Sequence, residues 1–381
     1  MKTCIKCDRI VLKDRVMSGA VIVDGGKIIG VAPEAPMDLP CLDATGGIVA
    51  PGMIDLHTHG GGGYSFTEST PEDIVRACNF HLSHGTTSIV PTVTTGPFDT
   101  MAEAVDNIRA AMKSEELKCN IIGAHMEGPY LSPAQCGAQA TDHITPPDPA
   151  QYTALLDNTA DTIVRWTYAP EQDPDGTFCR YLRQRGIVVS AGHTNATYSH
   201  MRTAIAEGCS LVTHLYSCTS TVTRDHGFRS LGVIETAFLR DELTAEIIAD
   251  GKHLPPELVR MIVKIKGVDK VAAVTDSLSI AGSDAPRGVM SGVEYIVEDG
   301  VAKLTDRSAF AGSISTTDVL LGVLIKQCGF SLPEAFTMLS DTPARIHKLS
   351  RGRIAEGYDA DIVILNDDLS VRTVMVGGEL V

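Results

Sequence analysis

The feature that most constrains the fold is an alternation of apolar runs and helical patterns, repeated eight times through the middle of the chain. The apolar runs lie at 54–57, 87–92, 120–127, 162–169, 187–193, 211–214, 245–250 and 271–276. Helical spacing fills most of the intervals, as at 71–82, 99–117, 198–207 and 256–266. An eightfold strand–helix alternation predicts an α/β fold, a parallel (β/α)8 barrel of the TIM type. The ends read differently. Residues 20–23 and 27–31 are short apolar runs joined by Asp24-Gly25-Gly26, a hairpin signal. Residues 362–365 and 371–376 are strand-like, with no helix of any length beside them. Two β-rich ends around a long middle predict one small β-sandwich domain from residues 1–49 and 349–381, with the barrel at 50–348. The 381-residue length suits a large barrel with additions, at roughly 100–200 residues per domain.

The barrel reading gives meaning to the residues that end the runs. Several strands close on a metal-capable or titratable side chain: His57 and His59, Glu127, His193, His214 and Asp276. Strand C-termini converge on one face of such a barrel, and that face carries the active site. His57-Thr58-His59 places two imidazoles on one side of a strand. Glu127 ends an apolar run, where an unpaired carboxylate is costly, and its two oxygens can bridge two cations. Neutral imidazole at His193 and His214 is a good ligand for zinc or iron. Asp276 is placed as general base beside an activated water. His81, His84, His200 and His347 fall in helical or loop patterns and read as surface or packing histidines.

Other motifs carry less. Gly60-Gly61-Gly62-Gly63 lacks the Lys-Ser/Thr of a P-loop and reads as a sharp turn beside the cation site. Cys4 and Cys7 lie three apart in a strand pattern, so they point to opposite faces and do not chelate. Ten scattered cysteines are too few for a disulfide scaffold. A formal net charge of −15 argues against nucleic acid as a partner. No apolar run approaches the ~20 residues of a membrane helix, so no membrane partner is expected. The first residues lack an apolar segment of the secretory type, and the expected location is cytoplasmic.

The segment Pro51-Gly52-Met53-Ile54-Asp55-Leu56-His57-Thr58-His59-Gly60 resembles the opening signature of the amidohydrolase superfamily. Residues 125–131, 190–197, 213–216, 249–253 and 274–276 narrow the likeness to its N-acetylglucosamine-6-phosphate deacetylase family. Residues 352–364 fit as well, though many amidohydrolases share them. The resemblance implies a metal-dependent hydrolase that removes acetate from a small phosphorylated amino sugar, usually as a homodimer. By residue matching, Glu127, His193 and His214 hold one divalent cation, zinc or iron. His57 and His59 hold a second, sharing Glu127 and Asp276. Asp276 is the catalytic acid and base. His253 and Arg224 contact substrate, with Arg224 reaching into the neighbouring subunit, and backbone amides near Ser217 and Cys218 help to hold phosphate. Two positions depart from the family pattern. Gln139 stands where the family usually has His, and Ser217-Cys218 where it usually has Asn-Ala. Both lie on the substrate side in the family, so the galacto epimer remains open beside the gluco sugar. A branch that bridges its metals with a carboxylated Lys is disfavoured, because the fourth run leads into Ala169-Pro170-Glu171. A scaffold without catalysis is disfavoured because every ligand and the base are retained.

Overall fold

A computed structural model describes residues 2–159 and 161–381. Eight parallel strands form the barrel: β1 (Met53–Thr58), β2 (Thr86–Val93), β3 (Asn120–Ile121 and Ala124–Glu127), β4 (Ile163–Tyr168), β5 (Val188–Ala191), β6 (Cys209–Val212), β7 (Thr244–Ile248) and β8 (Val271–Val274). They pair in chain order. The ring closes between β8 and β1, where Asp276 N donates to His57 O at 2.9 Å and His59 N donates to Ser277 O at 2.7 Å. Both faces of the strands are covered, which is why β1, β2 and β8 are buried along their whole length, and β8 (Val271–Val274) is an unbroken apolar run.

The outer helices supply the second layer. The helix Pro71–Ser83 starts with Pro in its first turn, and the Thr70 hydroxyl accepts from Asp73 N. It packs Ile74, Val75, Cys78 and Leu82 inward. The helices Tyr198–Glu207 and Pro256–Lys266 follow the expected spans, and the first ends on left-handed Gly208.

The two chain ends meet in one eight-stranded sheet. Its order is Glu379–Leu380, Val371–Val376, Ile362–Leu365, Ile48–Pro51, Thr3–Val11, Val16–Asp24 and Lys27–Ala32, with Cys41–Asp43 beside Thr3–Val11. Ile5, Ile10, Val21, Ile28, Val49, Ile362 and Ile364 form its core. The expected hairpin at Asp24 is present, and the strand Ile48–Pro51 carries the sheet to the start of β1.

One element was not anticipated. Beyond β8, four short antiparallel strands (Arg287–Met290, Val293–Glu298, Val301–Leu304 and Phe310–Gly312) form a small sheet around Leu278, Met290, Tyr295 and Ala311. It stands over the barrel mouth and gives the site one wall.

Candidate metal centre

The barrel delivers its polar residues to one point. His57 lies in β1 and His59 just past it; Glu127 ends β3. His193, His214 and Asp276 each stand two residues beyond β5, β6 and β8. These last three adopt left-handed backbone, with φ of 45°, 29° and 49°. That conformation is costly for residues with a side chain and persists only where the surroundings enforce it. They do so here. Ser132 N donates to His193 O at 2.8 Å, His214 N donates to Glu246 Oε1 at 3.2 Å, and Ser313 N donates to Asp276 O at 2.8 Å. The sharp turn aims each side chain back over the mouth.

Glu127 Oε1 lies 3.2 Å from His193 Nε2 and 3.1 Å from His214 Nε2, and those two nitrogens are 3.1 Å apart. The other nitrogen of each ring faces a carbonyl: His193 Nδ1 is 2.9 Å from Gln135 O, and His214 Nδ1 is 3.1 Å from Ser217 O. A carbonyl only accepts, so both Nδ1 atoms carry hydrogen and, in the neutral rings, both Nε2 atoms present lone pairs. Three lone-pair donors thus converge at spacings close to the ~3.3 Å expected around a tetrahedral cation with ligands about 2.0–2.1 Å away. His57 Nε2 lies 3.3 Å from Glu127 Oε1 and 3.4 Å from Asp276 Oδ1. His59 Nε2 lies 3.2 Å from Glu127 Oε2 and 3.3 Å from Asp276 Oδ1. Among the described residues, His57 Nε2 is buried without a hydrogen-bond partner, as a ligand atom would be. Two groups, His57–Glu127–His214 and His57–His59–Asp276, keep their ligand atoms within 4.8 Å of one another. The donor set fits one or two divalent cations, and His57 stands at the junction.

The field of the cage favours positive charge. Burial opposes a charge on His57, yet the carboxylates of Glu127, Asp276 and Glu246 lift its pKa to about 10. Burial likewise resists ionisation of Glu127, but the surrounding imidazoles hold it well below the usual carboxylate range. Asp276 is lowered in the same way by His57, His59 and His214, against its burial.

The cage opens into a cleft lined by Gln139, Tyr216, Ser217, Cys218, His253 and Phe310 among others. His253 Nδ1 donates to Asp250 Oδ2 at 2.8 Å, which leaves Nε2 for a ligand. Its ring meets Phe310 edge-on, with centroids 4.9 Å apart. Gln139 lines the cleft, but its side chain also serves the protein: Nε2 donates to Glu127 Oε2 at 2.6 Å, and Oε1 accepts from Thr94 Oγ1 and Thr95 N. The Ser217 amide donates to His214 O at 2.8 Å, so it is engaged in the turn. Arg224 is not brought to the cleft of its own chain; it stands on an exposed hairpin, Thr223–Asp225 with Phe228–Ser230. Two buried charges beneath the cage are absent from the residues the sequence singled out. Glu246 on β7 touches His57, and Arg165 on β4 touches Glu246. Their only signal was a charged residue in the interior of an otherwise apolar strand, Arg165 in Ile163–Tyr168 and Glu246 in Thr244–Ile248.

A hydrolytic cation cage at the mouth of a (β/α)8 barrel defines a class, and the sequence agrees with it. Residues 48–381 match the amidohydrolase family, to which the chain belongs. The N-acetylglucosamine-6-phosphate deacetylase of Bacillus subtilis (strain 168) is 30% identical, over 99% of this chain and 96% of that protein. The N-acetylgalactosamine-6-phosphate deacetylase of Shewanella sp. (strain ANA-3) is 32% identical, over 95% of this chain and 91% of that one. A solved structure of the Mycobacterium smegmatis N-acetyl-D-glucosamine-6-phosphate deacetylase, a mutant in complex with N-acetyl-D-glucosamine-6-phosphate, superposes with a TM-score of 0.93 at 28% identity. That superposition covers 100% of this chain and 99% of the other.

Proposed function

We propose that the protein is a metal-dependent deacetylase of N-acetylglucosamine 6-phosphate, releasing acetate and glucosamine 6-phosphate. The observation that carries the reading is the convergence of Glu127, His193, His214, His57, His59 and Asp276 at one end of a cleft that also presents His253. Zinc or iron(II) suits this nitrogen and carboxylate set. When bound, a divalent cation there supplies Lewis-acid polarisation of the acetyl carbonyl and activation of a water.

The chain's own residues do the rest. Asp276, ionised and beside His57 and His59, takes the proton of the attacking water. The same carboxyl then gives a proton to the departing sugar amine, which leaves poorly without one. His253, fixed by Asp250, offers Nε2 as acceptor for a sugar hydroxyl. Arg224 supplies a bidentate donor for the phosphate from the partner subunit of a homodimer. The division into a terminal β domain (1–49 with 349–381) and a catalytic barrel (50–348), and a cytoplasmic location, belong to the same reading.

The galacto epimer is the second reading. It is favoured by Gln139 and Ser217-Cys218 and by the similarity to the Shewanella enzyme. One experiment tests both: acetate release by cation-replete protein from N-acetylglucosamine 6-phosphate, its galacto epimer and unphosphorylated N-acetylglucosamine. A strong preference for the gluco 6-phosphate is expected, with loss of activity after chelation. Preference for the galacto epimer would replace the first reading by the second. Inactivity on all three with cation bound would overturn both.

A further inference from the structure

Glu246 and Arg165 form a completely buried ion pair directly under the cage. Glu246 Oε2 accepts from Arg165 Nη1 at 2.5 Å. Arg165 also donates to Leu56 O at 3.0 Å and to Thr213 Oγ1 at 3.1 Å. Such a pair is weak evidence for stability, because desolvating two charges offsets most of their attraction. Its other contacts suggest what it does. Glu246 Oε1 lies 2.9 Å from His57 Nδ1 and accepts from His214 N at 3.2 Å. A carboxylate oxygen only accepts, so it fixes hydrogen on Nδ1 of His57. The opposite nitrogen, Nε2, is aimed at Glu127 and Asp276, and it is the one that would give up its hydrogen and offer a lone pair to a cation held in the cage. His59 has no equivalent support: its Nδ1 is buried without a hydrogen-bond partner among the described residues. His57 is therefore the one of the two β1-derived histidines whose tautomer is enforced, and it is also the one placed between the two cation groups.

We infer that Glu246, charge-balanced by Arg165, is a positioning residue that holds the proton of His57 on Nδ1 and so keeps Nε2 open to the second cation. Arg165 lets the carboxylate stay buried and ionised without taking the oxygen that faces His57. The inference rests on the cation-cage reading above and deepens it. Buried partners of metal-ligating histidines are typically worth 10–100-fold in metal affinity.

The test compares two variants that both remove the buried charges, so that neither leaves an unpaired ion. Arg165→Met with Glu246→Gln keeps an accepting oxygen for His57. Arg165→Met with Glu246→Leu does not. Bound zinc is counted by elemental analysis after equilibrium dialysis against buffered zinc. Wild type is expected to hold two equivalents, and the Gln variant two. The Leu variant is expected to hold one, its second-site affinity lower by about 10–100-fold. Two equivalents of unchanged affinity in the Leu variant would overturn the inference, as would equal loss in both variants. A single equivalent in wild type would instead overturn the two-cation reading beneath it. Wild type also gives a measurement that depends on neither variant folding. In zinc-loaded protein labelled with ¹⁵N-histidine, the His57 Nδ1 proton should be observed and protected from exchange with water. An Nδ1 proton in fast exchange would overturn the assignment.

Discussion

The barrel mouth and the terminal sheet of this molecule bury residues to opposite ends. In the terminal sheet, Ile5, Ile10, Val21, Ile28, Val49 and Ile362 are completely buried against one another and hold no chemistry. At the mouth, Glu127, Asp276, His57, His59, His193 and His214 are buried too, but against like and opposite charge and partly on left-handed backbone. The first region stabilises through packed apolar area. The second costs stability and is held in place by the scaffold around it. Changes in the two regions should therefore separate cleanly, one moving stability and the other turnover.

The sharpest separation is expected at Asp276. Asp276→Asn keeps the shape of the side chain and removes the group proposed above to move the proton. Turnover should fall by about 10³–10⁴-fold, near the upper range for general acid–base catalysis. The protein should stay folded, with a melting temperature no higher than that of wild type, because His57, His59 and His214 favour the ionised carboxylate that the change removes. Steady-state acetate release and thermal unfolding on one preparation check both halves. Retention of a tenth of the activity would remove Asp276 from the mechanism.

The opposite result is expected in the terminal sheet. Ile362 is fully buried, and its strand pairs with Ile48–Pro51, which leads into β1. Ile362→Ala should cost about 2–5 kcal/mol by urea unfolding, from the forfeited transfer energy and the cavity left behind. Activity per folded molecule should not change. If turnover fell along with stability, the sheet would be shaping the cage and the contrast between the regions would be broken.

His81 lies between the two. It is buried in the helix Pro71–Ser83, and its Nε2 lies 2.9 Å from Gly60 O, beside the His57–His59 strand. Burial depresses its pKa to about 4. Unfolding restores the ordinary value near 6.5, so between those limits the unfolded chain binds the extra proton. The stabilisation is complete above pH ~6.5 and is lost as pH falls toward ~4, in total on the order of 3 kcal/mol. Urea unfolding at about pH 7.5 and about pH 4.5, on either side of most of that window, should show a steeper acid loss in wild type than in His81→Gln. Parallel slopes would mean that His81 is protonated in the folded protein.

How much of this was legible in the sequence follows the same division. The expected strand at 54–57 is β1, Met53–Thr58, and the expected 271–276 begins at β8 and runs on through the turn that carries Asp276. These were readable because a buried parallel strand is a local apolar run and its C-terminal residue is marked by polarity. The four-stranded sheet over the mouth was not, because Gly292, Asp299 and Gly300 break it into pieces shorter than a clear period. Glu246 and Arg165 were hidden for another reason. Each is a charge in the interior of an otherwise apolar strand, and its meaning depends on what faces it across the barrel. The second engagement of Gln139, at Glu127 Oε2, is likewise a fact of three dimensions.

The smallest expected effect concerns a residue that belongs to neither region of its own chain. Arg224 sits on the exposed hairpin rather than in the cleft of its own subunit. If it serves the partner's site, Arg224→Ala should raise the KM for the phosphorylated substrate about tenfold, as removal of one bidentate charged interaction would, with kcat nearly constant. Mixed dimers decide whose site it serves. Asp276→Asn chains paired with Arg224→Ala chains contain one site with an intact base. When Arg224 acts across the dimer, that site receives it from the Asp276→Asn chain and shows the wild-type KM. When Arg224 acts within its own chain, the same site lacks it and keeps the raised KM.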